Sequence, residues 1–142
     1  MKLSKNAFNL DVLINSTANI PYDGCSVLED VLFVYKEMGE DNLSLYNIKS
    51  EGLYSKDILE KVKEKEVLGG CILDYLLSNT LFIPEKWKKH RVYFFGTVYH
   101  FSHFPFVRYL YWKKGFWSWG LQRLDSGAMH YENFNIAIYQ VV

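Results

Sequence analysis

The sequence predicts an α+β fold, with N-terminal helices packed on a C-terminal antiparallel sheet of about four strands. Two observations carry that prediction. The hydrophobic pattern changes from helical spacing to alternation near Pro84. The charge also changes sign at the same place. Residues 1–82 hold eight Lys against 13 Asp and Glu, whereas residues 83–142 hold eight Lys and Arg against three acids. The 142 residues suit one domain, with an acidic helical part over 1–82 and a basic strand part over 83–142.

The first 24 residues do not declare a type. Leu10, Val12 and Ile14 alternate as in a strand, while Phe8, Val12 and Leu13 fit one face of a helix. Pro21, Asp23 and Gly24 mark a turn. Ser26 and Glu29 then form an S-x-x-E capping box. Val27, Leu28, Val31, Leu32 and Tyr35 follow at helical spacing, so a helix is expected over 26–38. Glu40 to Gly52 is a polar connector with a short strand or turn at Leu43–Ile48. A second helix starts near Ser55, with Ile58, Leu59 and Val62 as its apolar stripe. Gly69-Gly70 breaks it. A short helix at Cys71–Ser78 is apolar nearly all round, which requires burial.

Beyond Pro84 the strands follow. The first runs Arg91–Phe101, with Gly96 marking a bulge or a close approach of backbone. His103–Pro105 turns the chain into a second strand, Phe106–Trp112. Lys113-Lys114-Gly115 is a hairpin loop, Gly115 suiting a left-handed position. Phe116–Leu124 is the third strand, Asp125-Ser126-Gly127 a turn, and Phe134–Val142 the last strand.

The segment from Trp87 to Trp119 concentrates the chemistry. It holds 14 of the 25 aromatic residues of the chain. Tyr, Trp and Arg dominate interface energetics, and rings flanked by Lys and Arg also stack nucleic-acid bases. The candidate binding residues are Arg91, Arg108, Tyr109, Tyr111, Trp112, Lys113, Lys114, Trp117, Trp119 and Arg123. On alternation, Trp117, Trp119, Leu121 and Arg123 of the third strand oppose Phe116, Ser118, Gly120 and Gln122, and on the second strand Phe106, Arg108, Leu110 and Trp112 share one face. Val107, Tyr109 and Tyr111 take the other. Two arrangements stay open: a contact platform on one face, or a core on both faces of a strongly curved sheet.

The pattern I-P-x-x-W at Ile83–Trp87, then Gly96-Thr97-x-Tyr99, then Arg108-Tyr109-Leu110-Tyr111-Trp112 resembles one found in small bacterial proteins of unassigned function. Phe95 stands where that pattern has Trp. The resemblance spans at most residues 73–142 and implies no activity, ligand or catalytic residue.

No catalytic set, metal site or cofactor motif emerges from the residues. His100 and His103 have H-x-x-H spacing, and His130 lies near Glu132, but zinc sites carry tighter signatures. Cys25, placed just before an expected helix N-terminus, could be an activated thiol. Two isolated cysteines in a chain of this size are otherwise expected as free thiols in a reducing cytoplasm. The glycines form neither a dinucleotide fingerprint nor a P-loop. No secretory leader is expected at the N-terminus. No apolar run approaches the ~18 residues of a membrane span.

The reading favours a non-enzymatic binding protein, such as a bacterial or phage accessory or inhibitor protein. It would dock on a macromolecular partner, protein ahead of nucleic acid, through the aromatic basic sheet. A nucleic-acid binder using stacked rings and Lys/Arg is the first alternative. A small-ligand or hydrolytic cleft using His100, His103 or His130 is the second, lacking a convergent partner group.

Overall fold

The computed structural model describes residues 7–9, 13, 18–30, 37–49, 55–124 and 133–141. The architecture is mostly β, which corrects the α+β expectation. Six strands form one curled, mixed sheet. They are β1 (Ser26–Asp30), β2 (Leu43–Lys49), β3 (Val92–Phe101), β4 (Phe104–Lys113), β5 (Phe116–Arg123) and β6 (Asn133–Tyr139). The two short helices with described bounds are α1 (Ser55–Val62) and α2 (Gly70–Ser78). The strand order is β2-β6-β3-β4-β5, with β1 pairing on β3. All pairings are antiparallel except β3 with β6.

The largest correction concerns residues 26–30. Ser26 and Glu29 read as a capping box, yet the segment is strand β1, paired antiparallel with Thr97–His100. Leu28, expected on a buried helix face, is 60% exposed. Asp30 anchors the strand: its carboxylate accepts Thr97 Oγ1–H at 2.6 Å and the Ala18 N–H at 3.3 Å. Tertiary pairing has overridden a local propensity worth only tenths of a kcal/mol per residue. Val31, Leu32 and Tyr35 lie outside the described residues, as do the turn at 125–127 and His130.

Within the polar connector, the short strand or turn expected at Leu43–Ile48 is a strand, Leu43–Lys49. β2 pairs with β6 over its whole length, Leu43 opposite Tyr139 to Lys49 opposite Asn133. The helices expected from Ser55 and at Cys71–Ser78, and the four later strands, lie close to where periodicity placed them.

β3 is the centre. Its residues 92–99 are buried throughout, as a strand covered on both faces must be. Along one edge it changes neighbours: Val92 and Tyr93 pair with β6, and Thr97–His100 pair with β1. Between them the chain before α2 is wedged in. Gly96 N–H donates to Leu68 O, Leu68 N–H to Ala137 O (both 3.0 Å), and Tyr139 N–H to Glu66 O at 2.8 Å. A Cβ on Gly96 would lie 2.6 Å from Gly69 N and 2.7 Å from Leu68 C, so only glycine admits this crossing. Along the other edge the five steps from Phe94 to Tyr99 face only the two from Arg108 to Phe106. Such a bulge bends the strand and curls the sheet.

Both faces of the sheet are therefore core. One face packs Phe94, Val92 and Leu110 with α2 (Cys71, Ile72, Tyr75, Leu76) and the fully buried Trp87. The other packs Tyr93, Phe95, Val107, Phe134 and Ile136 with Ile58 and Val62 of α1. The expectation of helices packed on a four-stranded sheet fails here. α1 and α2 lie on opposite faces, because β3 is apolar on both.

Candidate functional site

β4 and β5 form the hairpin that carries most of the candidate residues. Lys114 (φ 53°) and Gly115 (φ 86°) make a two-residue turn of the mirror-image type that matches strand twist. The register runs from Lys113 opposite Phe116 to Phe106 opposite Arg123. The alternation read from the sequence holds, so each face can be built residue by residue.

On the α2 face, Arg108 is 3% exposed and forms an internal clamp. Its Nη1 donates to Asp74 Oδ1 at 2.8 Å and lies 3.5 Å from the Tyr99 hydroxyl. Its guanidinium lies 4.4 Å from the centre of the Trp119 ring. Its Nε is buried with no hydrogen-bond partner among the described residues. Asp74 also accepts the Asn19 N–H at 3.0 Å, so one carboxylate ties α2, β4 and the 18–24 loop together. Arg108 and Trp119 thus belong to the interior frame of the hairpin. Further along the same face, Trp112 and Trp117 meet edge to face at 5.3 Å, and Lys88 Nζ caps Trp112 at 4.1 Å. Arg123 sits at the far end, 3.4 Å over the Phe104 ring.

On the opposite face Tyr109 and Tyr111 are half-buried, with ring centres 5.7 Å apart. Tyr109 also packs against Tyr93 at 5.3 Å, and Arg91 lies 5.0 Å over its ring. Tyr109 lies across Gly120, where a Cβ would come within 2.5 Å of its Cζ. A tyrosine filling the space over a strand glycine replaces the packing that glycine lacks.

The tip differs from everything behind it. Lys113 and Lys114 are exposed, and Phe116 is 73% exposed. Among the described residues, Phe116 is the only phenylalanine or tryptophan on the surface to that degree. It was not among the candidates named from the sequence. The readable signal was its place beside the turn on the less apolar face of the last hairpin strand. Asp74 was also missed, although one charge inside an otherwise apolar helix requires a buried partner.

The other candidate chemistry does not assemble. His100 and His103 stand 6.3 Å apart, and no group of three or more His, Cys, Asp or Glu could hold a metal ion among the described residues. Cys25 precedes a strand instead of a helix, and burial raises its pKa, with Arg108 opposing the rise. Burial raises the Cys71 thiol to about 11. Both thiols are buried and free, the opposite of an activated nucleophile. One cleft of about 590 Å³ is lined by Glu40, Asp41, Glu85 and Lys86 among others. A second, about 320 Å³, lies over Phe95, Gly96 and Val98. Neither includes a histidine. No helix among the described residues is long and apolar enough to cross a membrane. No family model, curated protein or solved structure matches this chain, so the functional reading stands on the surface alone.

Proposed function

We propose that this protein is a cytoplasmic docking module that engages a macromolecular partner, a protein in the first instance, through the tip and open flank of the β4–β5 hairpin. One observation carries the reading: an exposed phenylalanine beside two exposed lysines, on a strand that is the last of its sheet among the described residues. An exposed ring supplies contact area at low entropic cost, and adjacent cations accelerate encounter with an acidic surface. The frame behind it is stiff. Trp112–Trp117 and Arg108–Trp119 fix the ribbon, so little conformational freedom is lost on contact. Two buried free thiols suit a reducing compartment.

The test is a photo-crosslinking amino acid placed at Phe116 and, separately, at Leu81, which is 91% exposed on another part of the surface. In cells of the encoding organism, Phe116 should give a discrete protein adduct that the Leu81 position does not. Adducts of equal pattern at both positions, or adducts to nucleic acid only, would overturn the reading.

A further inference from the structure

The hairpin offers more than its tip. Building on the docking reading, we infer that the outer edge of β5 accepts an extended segment of the partner as an added antiparallel strand, one in which apolar and acidic residues alternate. The backbone geometry selects the groups involved. In a hairpin closed by a two-residue turn, Lys113 and Phe116 exchange both hydrogen bonds, and every second pair after them does the same. Ser118, Gly120 and Gln122 therefore direct their backbone groups at β4. The Leu124 N–H, bonded to Pro105 O at 2.9 Å, continues that parity. Trp117, Trp119 and Leu121 direct theirs outward. Among the described residues no strand pairs with that edge. A row of outward donors and acceptors is a template for another strand unless the chain blocks it with proline, a bulge or a central charge. The sequence from Phe116 to Gln122 contains none of these.

Charge selects the occupant. Between Lys86 and Leu124 the chain carries eight basic residues and no acid. Among the described residues Lys88 pairs with Glu85 and Arg108 with Asp74, while Lys113 and Lys114 stand exposed at the tip, placed to meet a partner. The other end strand, β2, follows Glu37, Glu40 and Asp41 and would repel an acidic segment. A second copy of β5 fits poorly, since antiparallel self-pairing would bring the tip lysines of one copy to the Arg123 end of the other. The side chains set the alternation: Trp117, Trp119 and Leu121 call for apolar neighbours, while Ser118, Gly120 and Gln122 leave the other face to acidic ones.

Hydrogen exchange of backbone amides read by NMR tests this on the intact protein. In the free protein the amides of Trp117, Trp119 and Leu121 should exchange much faster than those of Ser118, Gly120 and Gln122. Equal protection of the two sets would mean the edge is already covered, and overturns the proposal. The probe is a synthetic peptide alternating Val and Glu and matching the eight residues of β5. It should slow the three outward amides roughly tenfold or more without protecting β2. The same peptide with alternate amides N-methylated, or with Lys in place of Glu, should not. Shifts confined to Lys113, Lys114 and Phe116, with the outward amides unprotected, overturn the added strand and leave the docking reading intact. Absence of any response at tip or edge overturns both. Protection by a single-stranded oligonucleotide and not by the peptide overturns both in favour of nucleic acid.

Discussion

β3 and β5 look alike as sequences and differ as structures. VYFFGTVYHF and FWSWGLQR are both aromatic strands with an interior glycine. β3 is buried from Val92 to Tyr99, whereas β5 is half-buried at every position from Trp117 to Arg123. The glycines mark the difference. Gly96 is crossed by backbone, that of Leu68 and Gly69. The atoms nearest Gly120 belong to a side chain, that of Tyr109. A central strand is defined by what lies on both its edges, and an edge strand by what is missing from one. Aromatic content reports neither.

The comparison breaks if β3 does not carry the stability. Phe94 is 1% exposed at the centre of one core layer. Phe94→Ala should cost about 3–5 kcal/mol by urea denaturation. Phe116→Ala, on the exposed tip, should fall within about 0.5 kcal/mol of the parent protein. Comparable losses for the two would show that the hairpin tip is packed in solution.

The glycines sharpen it. A methyl group at Gly96 meets backbone atoms of Leu68 and Gly69, in a segment that hydrogen bonds tie to Gly96 and Ala137. Gly96→Ala should cost about 1–3 kcal/mol or unfold the chain. Gly120→Ala meets the rim of one side chain, which can turn aside, so its loss should be the smaller. Tyr109 should then become more accessible, read as a change in tyrosine fluorescence or solvent exposure. A larger loss at Gly120 would reverse the assignment of centre and edge.

The legible part of this structure is the part where periodicity and neighbours agree. Gly96 announced a close approach, the short helix before Asn79 announced its burial, and the hairpin faces followed from alternation. The nearly continuous apolar run of β3 carried a further signal, burial on both faces, that a reading by alternation passes over. β1 was illegible because Ser26 and Glu29 satisfy a helix cap locally, while Asp30 finds Thr97 67 residues away. Arg108 read as a surface residue for the same reason. Nothing beside it in sequence reveals that Asp74 and Trp119 enclose it.

A pH series probes the layer under β3 from the helix side. Below the ordinary thiol value of 9.0, Cys71 is protonated in both the folded and the unfolded chain. Burial lifts the folded value to about 11, with Asp30 adding to the rise. Between those values the unfolded chain loses its proton first, so stability falls as pH rises. Cys71→Ala should show a shallower decline than the parent between pH 9.0 and about 11, measured as urea midpoints. Parallel curves would mean that the thiol is solvated. Both cysteines should react with a thiol reagent in denatured protein and resist it when folded.

The smallest effect on stability is expected where the largest effect on binding is proposed. Lys113 and Lys114 are exposed at the tip and form no ion pair among the described residues. Lys113→Glu with Lys114→Glu should shift the unfolding free energy by no more than about 0.5 kcal/mol. The type of turn is preserved, because Gly115 keeps its left-handed conformation and position 114 already tolerates a side chain at φ 53°. The reversal removes two positive charges and adds two negative ones beside Phe116. It should therefore slow association with an acidic partner by roughly tenfold or more at low ionic strength and much less at high salt. Dissociation should change little, since the rings and backbone that hold the complex are untouched. Stopped-flow association of the crosslinked partner, once purified, separates the two rates. An unchanged association rate with a stable fold would remove the lysines from the docking surface, leaving the edge of β5 and Phe116 to account for it alone.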